Sequence, residues 1–406
     1  MPVAQPENWV RAYRKRRILG GIMPSDVQFA MDPNIALTAQ GGTLTRGGVA
    51  NYFDINGVLQ QAASGVERSA HYINGVRTHL FEPAATNIVT QPRDCTNAGW
   101  TKSNVTAAKD QTGIDGSANV ASSLVATAGN GTCLFAATLA SSTRCASVYI
   151  KRITGTGTIS FTTDGGTTYT DITSQINSTS YSRVFITQAA VTNPSTGFKI
   201  VTNGDKIAVD YVQNETGLYA TTPISGSRVA DVMYVPVDAT QEALAIYARW
   251  RHLVDPTQNG TYLFSLTTSG NANPRLIVQT EGSAQAPREA YLNAAGTTKQ
   301  VQDSIDPPSG WALNDTIEML LQLDRTGLLT GYMTRNGNGF PRNAATAQAL
   351  DGTGGFWGGA STGGRLYLGS SGAGGTPTPI ALTSLLVLRG EKRTMRDMLL
   401  YARTAL

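Results

Sequence analysis

Charged side chains are scarce in this chain. Asp, Glu, Lys and Arg make up 15% of the 406 residues, against roughly 25% in an ordinary soluble domain. Cysteine and histidine occur three times each. Cys95, Cys133 and Cys145 are too few, and odd in number, for a disulfide framework. They read as buried thiols in a reducing compartment, although Cys133 and Cys145 flank an expected hairpin turn at 140–143. No metal-type Cys/His spacing joins them to His71, His79 or His252, so neither metal nor cofactor is expected. No apolar run reaches the roughly 18 residues of a membrane span. The N-terminus carries charge where a secretion signal has its apolar core. Synthesis in a cytoplasm, with no membrane contact, is the expectation.

Gly, Thr, Ser, Ala and Asn fill the gap left by charge; Gly alone occurs 43 times. Gly loses backbone entropy in a helix, and Thr and Ser side chains compete for backbone bonds there. The same residues suit short strands joined by tight turns. With 41% hydrophobic residues the chain has material for real cores. Its length fits two or three domains.

The formal charge of +4 comes from 32 basic and 28 acidic residues. Five of the basic ones, Arg11, Arg14, Lys15, Arg16 and Arg17, sit in one stretch. The remainder is close to neutral, so a nucleic-acid-binding surface is not expected. That stretch, Glu7–Leu19, reads as a short helix stopped by Gly20-Gly21. Trp9 and Tyr13 give it an aromatic side opposite a basic one. A helix this short is marginal alone. It is either a frayed terminus or a peg that docks on a neighbouring subunit through Trp9, Tyr13 and the five basic residues.

The rest reads as all-β: two antiparallel β-sandwich (jelly-roll) domains between the N-terminal helix with its extended anchor and a short C-terminal helix. The expected layout is an anchoring segment over 1–44 and a hairpin lead-in over 45–90. A first sandwich follows over 91–235 and a second, with the closing helix, over 236–406. Asn56-Gly57 and Asn74-Gly75 between apolar residues are hairpin signals. Strands are expected at Cys133–Leu139, Ala146–Arg152, Thr158–Thr162, Arg183–Gln188, Gly197–Val201 and Lys206–Gln213. In the second half they are expected at Leu244–Trp250, Tyr262–Thr267, Arg275–Thr280, Glu289–Asn293, Thr316–Asp324, Leu329–Arg335, Arg365–Leu368 and Ile380–Leu388. Turns every 8–12 residues argue for sandwiches or barrels. In Arg393–Ala405, Met395, Met398, Leu399 and Ala402 form one apolar stripe at helical spacing.

Several separated motifs in 45–235 resemble bacteriophage tail and appendage proteins. The first is the lead from Thr45 to Val89 (TRGGVANYFDINGVLQQAASGVERSAHYINGVRTHLFEPAATNIV), which includes Leu80-Phe-Glu-Pro-Ala-Ala-Thr-Asn87. Ala98-Gly-Trp-Thr101, Leu218-Tyr-Ala-Thr-Thr-Pro-Ile224 and Arg228-Val-Ala-Asp231 follow in order. The resemblance implies a carbohydrate-binding-module-like sandwich. The second half is similar to a concanavalin A-like (laminin-G-like) jelly roll, on the weaker ground of Ile380–Arg389 and the helix after it. What the resemblance implies is a virion protein assembled in the host cytoplasm. It would be a homo-oligomer, often a trimer in that group, joined to other virion proteins through its N-terminal segment.

The residues offer no enzyme constellation. Glycosidase chemistry needs two carboxylates about 5–10 Å apart, and Asp164, Asp171, Asp205, Asp231 and Asp324 lie at strand ends and turns. Asp210 faces the opposite side of its strand from its apolar neighbours. No nucleophile elbow, phosphate loop or coil repeat is present. Binding is the better fit. Sugars stack on aromatic rings while planar polar groups bond their hydroxyls. Trp311 and Trp357, in loops, and Tyr367 and Trp100 are the candidates, each with packing as its alternative. The expected function is a tail fibre or tail-associated appendage, with host-surface polysaccharide as ligand. A capsid decoration or head-fibre protein is the first alternative, and a carbohydrate-active enzyme fragment the second.

Overall fold

The computed structural model describes residues 27–237, 244–253, 262–267, 276–281, 286–292, 298–302, 312–323, 329–340, 364–370 and 378–389. The expected helices at Glu7–Leu19 and Arg393–Ala405, the docking residues Trp9 to Arg17, and Trp311 and Trp357 lie outside the described residues. Among the described residues the fold is all-β, with antiparallel ladders and two 3-10 turns, Leu37–Gln40 and Thr173–Gln175. The chain forms two compact units, each assembled from separated stretches. Gly47–Ser64 and Ala84–Val229 make a central unit. Met1–Arg46, Gly65–Pro83 and Ala230–Leu406 make a C-terminal unit. Residues 45–90, read as one lead-in, therefore contribute to both.

The central unit is a sandwich of two five-stranded sheets. One runs Ser182–Val191, Ser142–Thr154, Lys206–Thr216, Ala121–Ala126, Val105–Gln111. The other runs Thr170–Asp171, Ile159–Thr162, Ser195–Ile200, Gly131–Ala136, Trp100–Ser103. Alternate residues point inward, so Val148, Ile150, Val209, Phe161 and Phe198 share one core. Phe161 and Phe198 stack with centroids 5.1 Å apart. The strand at Ser195–Ile200 lies close to its neighbour because residue 197 is glycine; a Cβ there would sit 2.0 Å from the Cys133 carbonyl oxygen.

The hairpin expected at 140–143 is absent. Cys133 and Cys145 lie on strands of opposite sheets, and the segment between them crosses the sandwich. Local turn chemistry reports a reversal of direction, not which strand receives the chain. The thiol that faces Cys133 is Cys95, whose pKa is pushed well up by a hydrogen bond with Cys133 and by burial. All three cysteines are free and buried.

The C-terminal unit packs an eight-stranded sheet on a seven-stranded one. The first centres on Leu244–His252 and Ile380–Arg389, with Thr316–Leu323 on one side and Val76–Phe81 and Val27–Ala30 on the other. The second includes Thr43–Thr45, Val232–Pro236, Arg365–Leu368 and Tyr262–Thr267. Trp250 meets Phe264 edge-on at 5.4 Å between the layers. His71–Ile73 and Val76–Phe81 close through Asn74-Gly75, both at positive φ, the two-residue turn that this dipeptide favours.

This unit also buries an ion cluster. Arg46 Nη1 pairs with Asp231 Oδ1 at 2.7 Å, and its Nη2 donates to the Val66 carbonyl. Arg68 pairs with Glu82 at 2.5 Å and with the other oxygen of Asp231. The Glu82 amide donates to Asp231 at 2.9 Å. Beside it Glu67 pairs with His79 at 2.5 Å and accepts from the Thr38 amide. Burial alone would lower the pKa of Arg68, but the two carboxylates outweigh it and raise it. The chain passes between the units after 46, 64, 83 and 229. Each member of the cluster lies within four residues of one of those passages.

Removing one partner of such a cluster strands the others in a water-free site, which costs about 3–5 kcal/mol. Arg68→Ala is expected to destabilise the C-terminal unit by that amount in urea titrations. Lys109→Ala, which breaks a solvent-exposed pair with Asp94, is expected to change stability by less than about 1 kcal/mol.

Candidate ligand-binding faces

The outward face of one sheet of the central unit collects aromatic rings and cations. Its geometry depends on a β-bulge. The register between Ser142–Thr154 and Lys206–Thr216 moves from Ser147↔Gln213 to Tyr149↔Asp210, so the second strand carries one extra residue. Tyr211 takes up that residue at φ 45°, a left-handed conformation that bulky side chains seldom adopt. Val209 and Val212 stay in the core. Asp210 and Tyr211 can then both serve the opposite side. Asp210 faces away from its apolar neighbours, as its place in the alternation indicated.

Arg93 is clamped there by two carboxylates. Its Nε and Nη2 reach Asp210 at 2.8 and 3.1 Å; its Nη1 and Nη2 reach Asp115 at 2.8 and 2.9 Å. The guanidinium lies 4.6 Å from the centre of the Tyr211 ring. Asp210 also accepts from the amides of Ile114 and Tyr211. The Arg93 hydrogen bonds hold Asp115 below the usual carboxylate range. Burial opposes the charge on Arg93, yet Asp115 and Asp210 raise its pKa. Both edges of the guanidinium are thus occupied and its plane is fixed.

Two more ring–cation pairs continue the face. Lys151 Nζ lies 4.8 Å from the Tyr181 ring, whose hydroxyl donates to the Thr112 carbonyl at 3.1 Å. Arg183 lies 5.5 Å from the centre of the Tyr149 ring, and Phe53 meets that ring tilted at 5.6 Å. Burial raises the pKa of Tyr181 and of Tyr211, so both phenols stay protonated at neutral pH; the Tyr181 proton is already given to Thr112. Tyr149, Tyr181 and Tyr211 are all half-buried. The hairpin Ala50–Phe53 to Leu59–Ala62 is fastened over this side by Asn51, which donates to the Pro223 carbonyl at 2.7 Å, and by the Leu59 amide on Ile114.

On the same side of the sheet Glu215 is buried without an ion-pair partner among the described residues. It accepts from Thr221 Oγ1 at 2.6 Å, the Thr221 amide at 3.0 Å and Gln213 Nε2 at 2.5 Å. Burial outweighs these bonds and raises its pKa. The same burial, with the Glu215 charge nearby, pushes the Cys145 thiol up to about 12.

The aromatic candidates fall in different places. Trp100 is a core residue, 2% exposed, edge-on to Phe135 at 5.5 Å, with Nε1 donating to the Gln91 carbonyl. It offers no ring to a ligand. Tyr367 lies in the C-terminal unit on the side of its sheet away from the core. It is 7% exposed and packs at 5.3 Å on half-buried Tyr234, over which Arg365 sits at 4.7 Å. Asp164 closes a turn: it accepts from Gln188, Thr162 and the amides of Gly166 and Thr168, which hold it at about 2 against the cost of burial. Asp205 is paired with Arg152. Sequence reasoning missed Arg93, Tyr149, Tyr181, Arg183 and Tyr211. The one available signal was the adjacent Asp210-Tyr211 breaking an otherwise regular alternation.

No family model matches the chain, and no curated protein matches it. Among solved structures it is similar to a carbohydrate esterase of the Shiga toxin-encoding bacteriophage phi24B, with 12% identity over 40% of this chain and 76% of that one, at a TM-score of 0.23. It is also similar to the sialidase of Trypanosoma rangeli, with 11% identity over 42% and 29% of the two chains and a TM-score of 0.26. A truncated AlyQ with CBM32 and alginate lyase domains shows 8% identity over 72% of this chain and 99% of that one, at 0.23. Likeness at these scores carries no argument about what this chain does.

A carboxyl whose folded pKa is raised contributes stability at acid pH and loses it as pH rises past that value. Glu215 therefore weakens the central unit as the pH climbs above the ordinary carboxylate range. Glu215→Gln keeps an acceptor and removes the charge. Melting temperatures at pH 5 and pH 8 are expected to differ less in this variant than in the unaltered chain. Equal differences would show that Glu215 does not titrate in the folded state over that interval.

Proposed function

We propose that this chain is a non-enzymatic bacteriophage virion protein, a tail fibre or tail-associated appendage, whose central sandwich binds host-surface polysaccharide. The observation that carries the binding is the face of Tyr149, Tyr181 and Tyr211, each ring beside a cation, with Arg93 held rigid by Asp115 and Asp210. Half-buried tyrosines present flat apolar surface and a hydroxyl at low entropic cost, the combination that sugar rings need. Binding is favoured over catalysis because the carboxylates beside Tyr211, Asp115 and Asp210, are both engaged by one guanidinium, and Glu215 is buried and held by Thr221 and Gln213. Tyr367 with Tyr234 and Arg365 forms a second, smaller group of the same chemistry.

The virion assignment rests on the ordered landmarks between Thr45 and Asp231. In this reading the part of the 1–44 segment that precedes the strand Val27–Ala30 anchors the chain, the rest of it being built into the sheets of the C-terminal unit; Trp9 and Tyr13 dock with Arg11, Arg14, Lys15, Arg16 and Arg17 on a neighbouring virion protein, and copies associate as a symmetric oligomer. No membrane, nucleic acid or cofactor takes part.

Affinity electrophoresis against capsular and lipopolysaccharide preparations of host strains tests the binding. Tyr181→Ala and Tyr149→Ala are each expected to weaken it about tenfold or more, with folding retained. Tyr211→Gly is expected to abolish binding with little loss of stability, since glycine relieves the left-handed strain. Retention by the unaltered chain that all three variants match would remove this face from the proposal. Deletion of residues 1–26, which spares the strand Val27–Ala30 and the core residues Phe29, Met31 and Leu37, is expected to leave soluble protein absent from purified particles. Normal incorporation would contradict the anchor, and cross-links from Trp9–Leu19 to the major capsid protein would move the chain from tail to head.

A further inference from the structure

The eight-stranded sheet of the C-terminal unit turns Ile246, Ala248, Met319, Leu385 and Val387 toward its core. Residues between them point to the other side. Across four neighbouring strands that side carries one row of Ala30, Leu386, Tyr247 and Leu320, paired in register. The next row carries Leu388, Ala245 and Gln322. Among the described residues the C-terminal unit has only its two sheets, neither of which covers that side, yet all seven are buried, Leu320 at 0% and Leu386 at 1%. The neighbouring row is mixed: Arg249 is exposed and Ser384 half-buried, while Glu318, which accepts from the Tyr247 hydroxyl at 2.7 Å, is buried. Glu318 aside, the buried patch is therefore four strands wide in its first row and three in its second, where half-buried Val27 follows Leu388, about 19 Å by about 7 Å at ordinary strand spacings. It has the footprint of one helix, about 10 Å across, laid over the strands.

The occupant is indicated by where the chain goes. Strand Ile380–Arg389 ends one residue past Leu388, and 390–406 follow it. Within them Arg393–Ala405 carries Met395, Met398, Leu399 and Ala402 on one helical stripe, with Arg396, Asp397 and Arg403 off it. Thirteen residues of helix span about 20 Å, the width of the patch. A link of three residues keeps the segment beside the strand it leaves. We propose that Arg393–Ala405 docks as a helix across this face and covers Leu386, Tyr247 and Leu320 with its apolar stripe. The rival occupants are residues 1–26, which enter the sheet at Val27 opposite Leu388, and a second copy of the chain.

Paired cysteines in the full chain distinguish these. Leu386→Cys combined in turn with Met395→Cys, Met398→Cys and Leu399→Cys is expected to give an intramolecular disulfide under mild oxidation in at least one pair. Leu386→Cys with Arg396→Cys is expected to give none. A bond from Leu386→Cys to Tyr13→Cys, a disulfide-linked dimer of the single variant, or no bond to any stripe position would overturn the proposal. Met398→Asp gives a reading that needs no new cysteine. It is expected to raise binding of an apolar dye severalfold and to lower the melting temperature, whereas Arg396→Asp does neither. Identical behaviour of those two variants would also overturn it.

Discussion

Asp231 is the residue on which the C-terminal unit turns. Its two oxygens bind Arg46, Arg68 and the Glu82 amide, joining three stretches of chain that are far apart in sequence. In a site closed to water these charges gain little net energy over well-packed apolar side chains, because each had to lose its hydration. Their effect is on specificity. A misplaced segment leaves a buried arginine or carboxylate alone, at a cost of several kcal/mol. The chain leaves and re-enters this unit beside these residues, so the cluster fixes the entry points from which Val27–Ala30, Thr43–Thr45 and Val76–Phe81 join sheets made mainly of residues beyond 230.

The central unit solves the same problem of buried charge in two ways on one strand. Asp210 is matched by Arg93. Five residues on, Glu215 is hydrogen-bonded only to neutral donors, with the Arg183 charge a smaller aid, and burial still raises its pKa. The bulge at Tyr211 separates them. Its left-handed backbone stores strain that a plain ladder would not carry, and strain of this kind persists where a side chain must be aimed. Here it sets a tyrosine ring against a guanidinium whose position is fixed from both edges.

Much of the fold was legible because alternation and turn residues are local. Tyr262–Thr267, Leu329–Arg335 and Arg365–Leu368 have the ends their patterns indicate. Val105–Gln111 and Ala121–Ala126 were not anticipated. One carries Lys109 and Asp110 on an edge. The other buries Ser122 and Ser123, with Ser122 bonded to the Arg93 carbonyl, where a pattern reader expects apolar residues. The landmark residues acquire physical reasons. Glu82 and Asp231 belong to the ion cluster. Asn87 donates to the Val212 and Ile224 carbonyls and accepts from the Asn214 and Val89 amides. The tyrosine face was hidden because a loop, two strands and a bulge supply it, and no one-dimensional period reveals a bulge. Trp100 was legible only as an alternative between core and ligand contact; its burial against Phe135 decides for the core.

Hydrogen exchange on the intact chain tests the role of the ion cluster most directly. The amides of Gly65, Leu80, Glu82 and Asp231 are each bonded to a cluster residue. If the cluster organises the C-terminal unit, these four exchange only when the whole unit opens, with the same free energy as Ile246 and Leu386 in the central strands. Exchange at those four positions orders of magnitude faster than in the strands would mean that the sheets stand without the cluster.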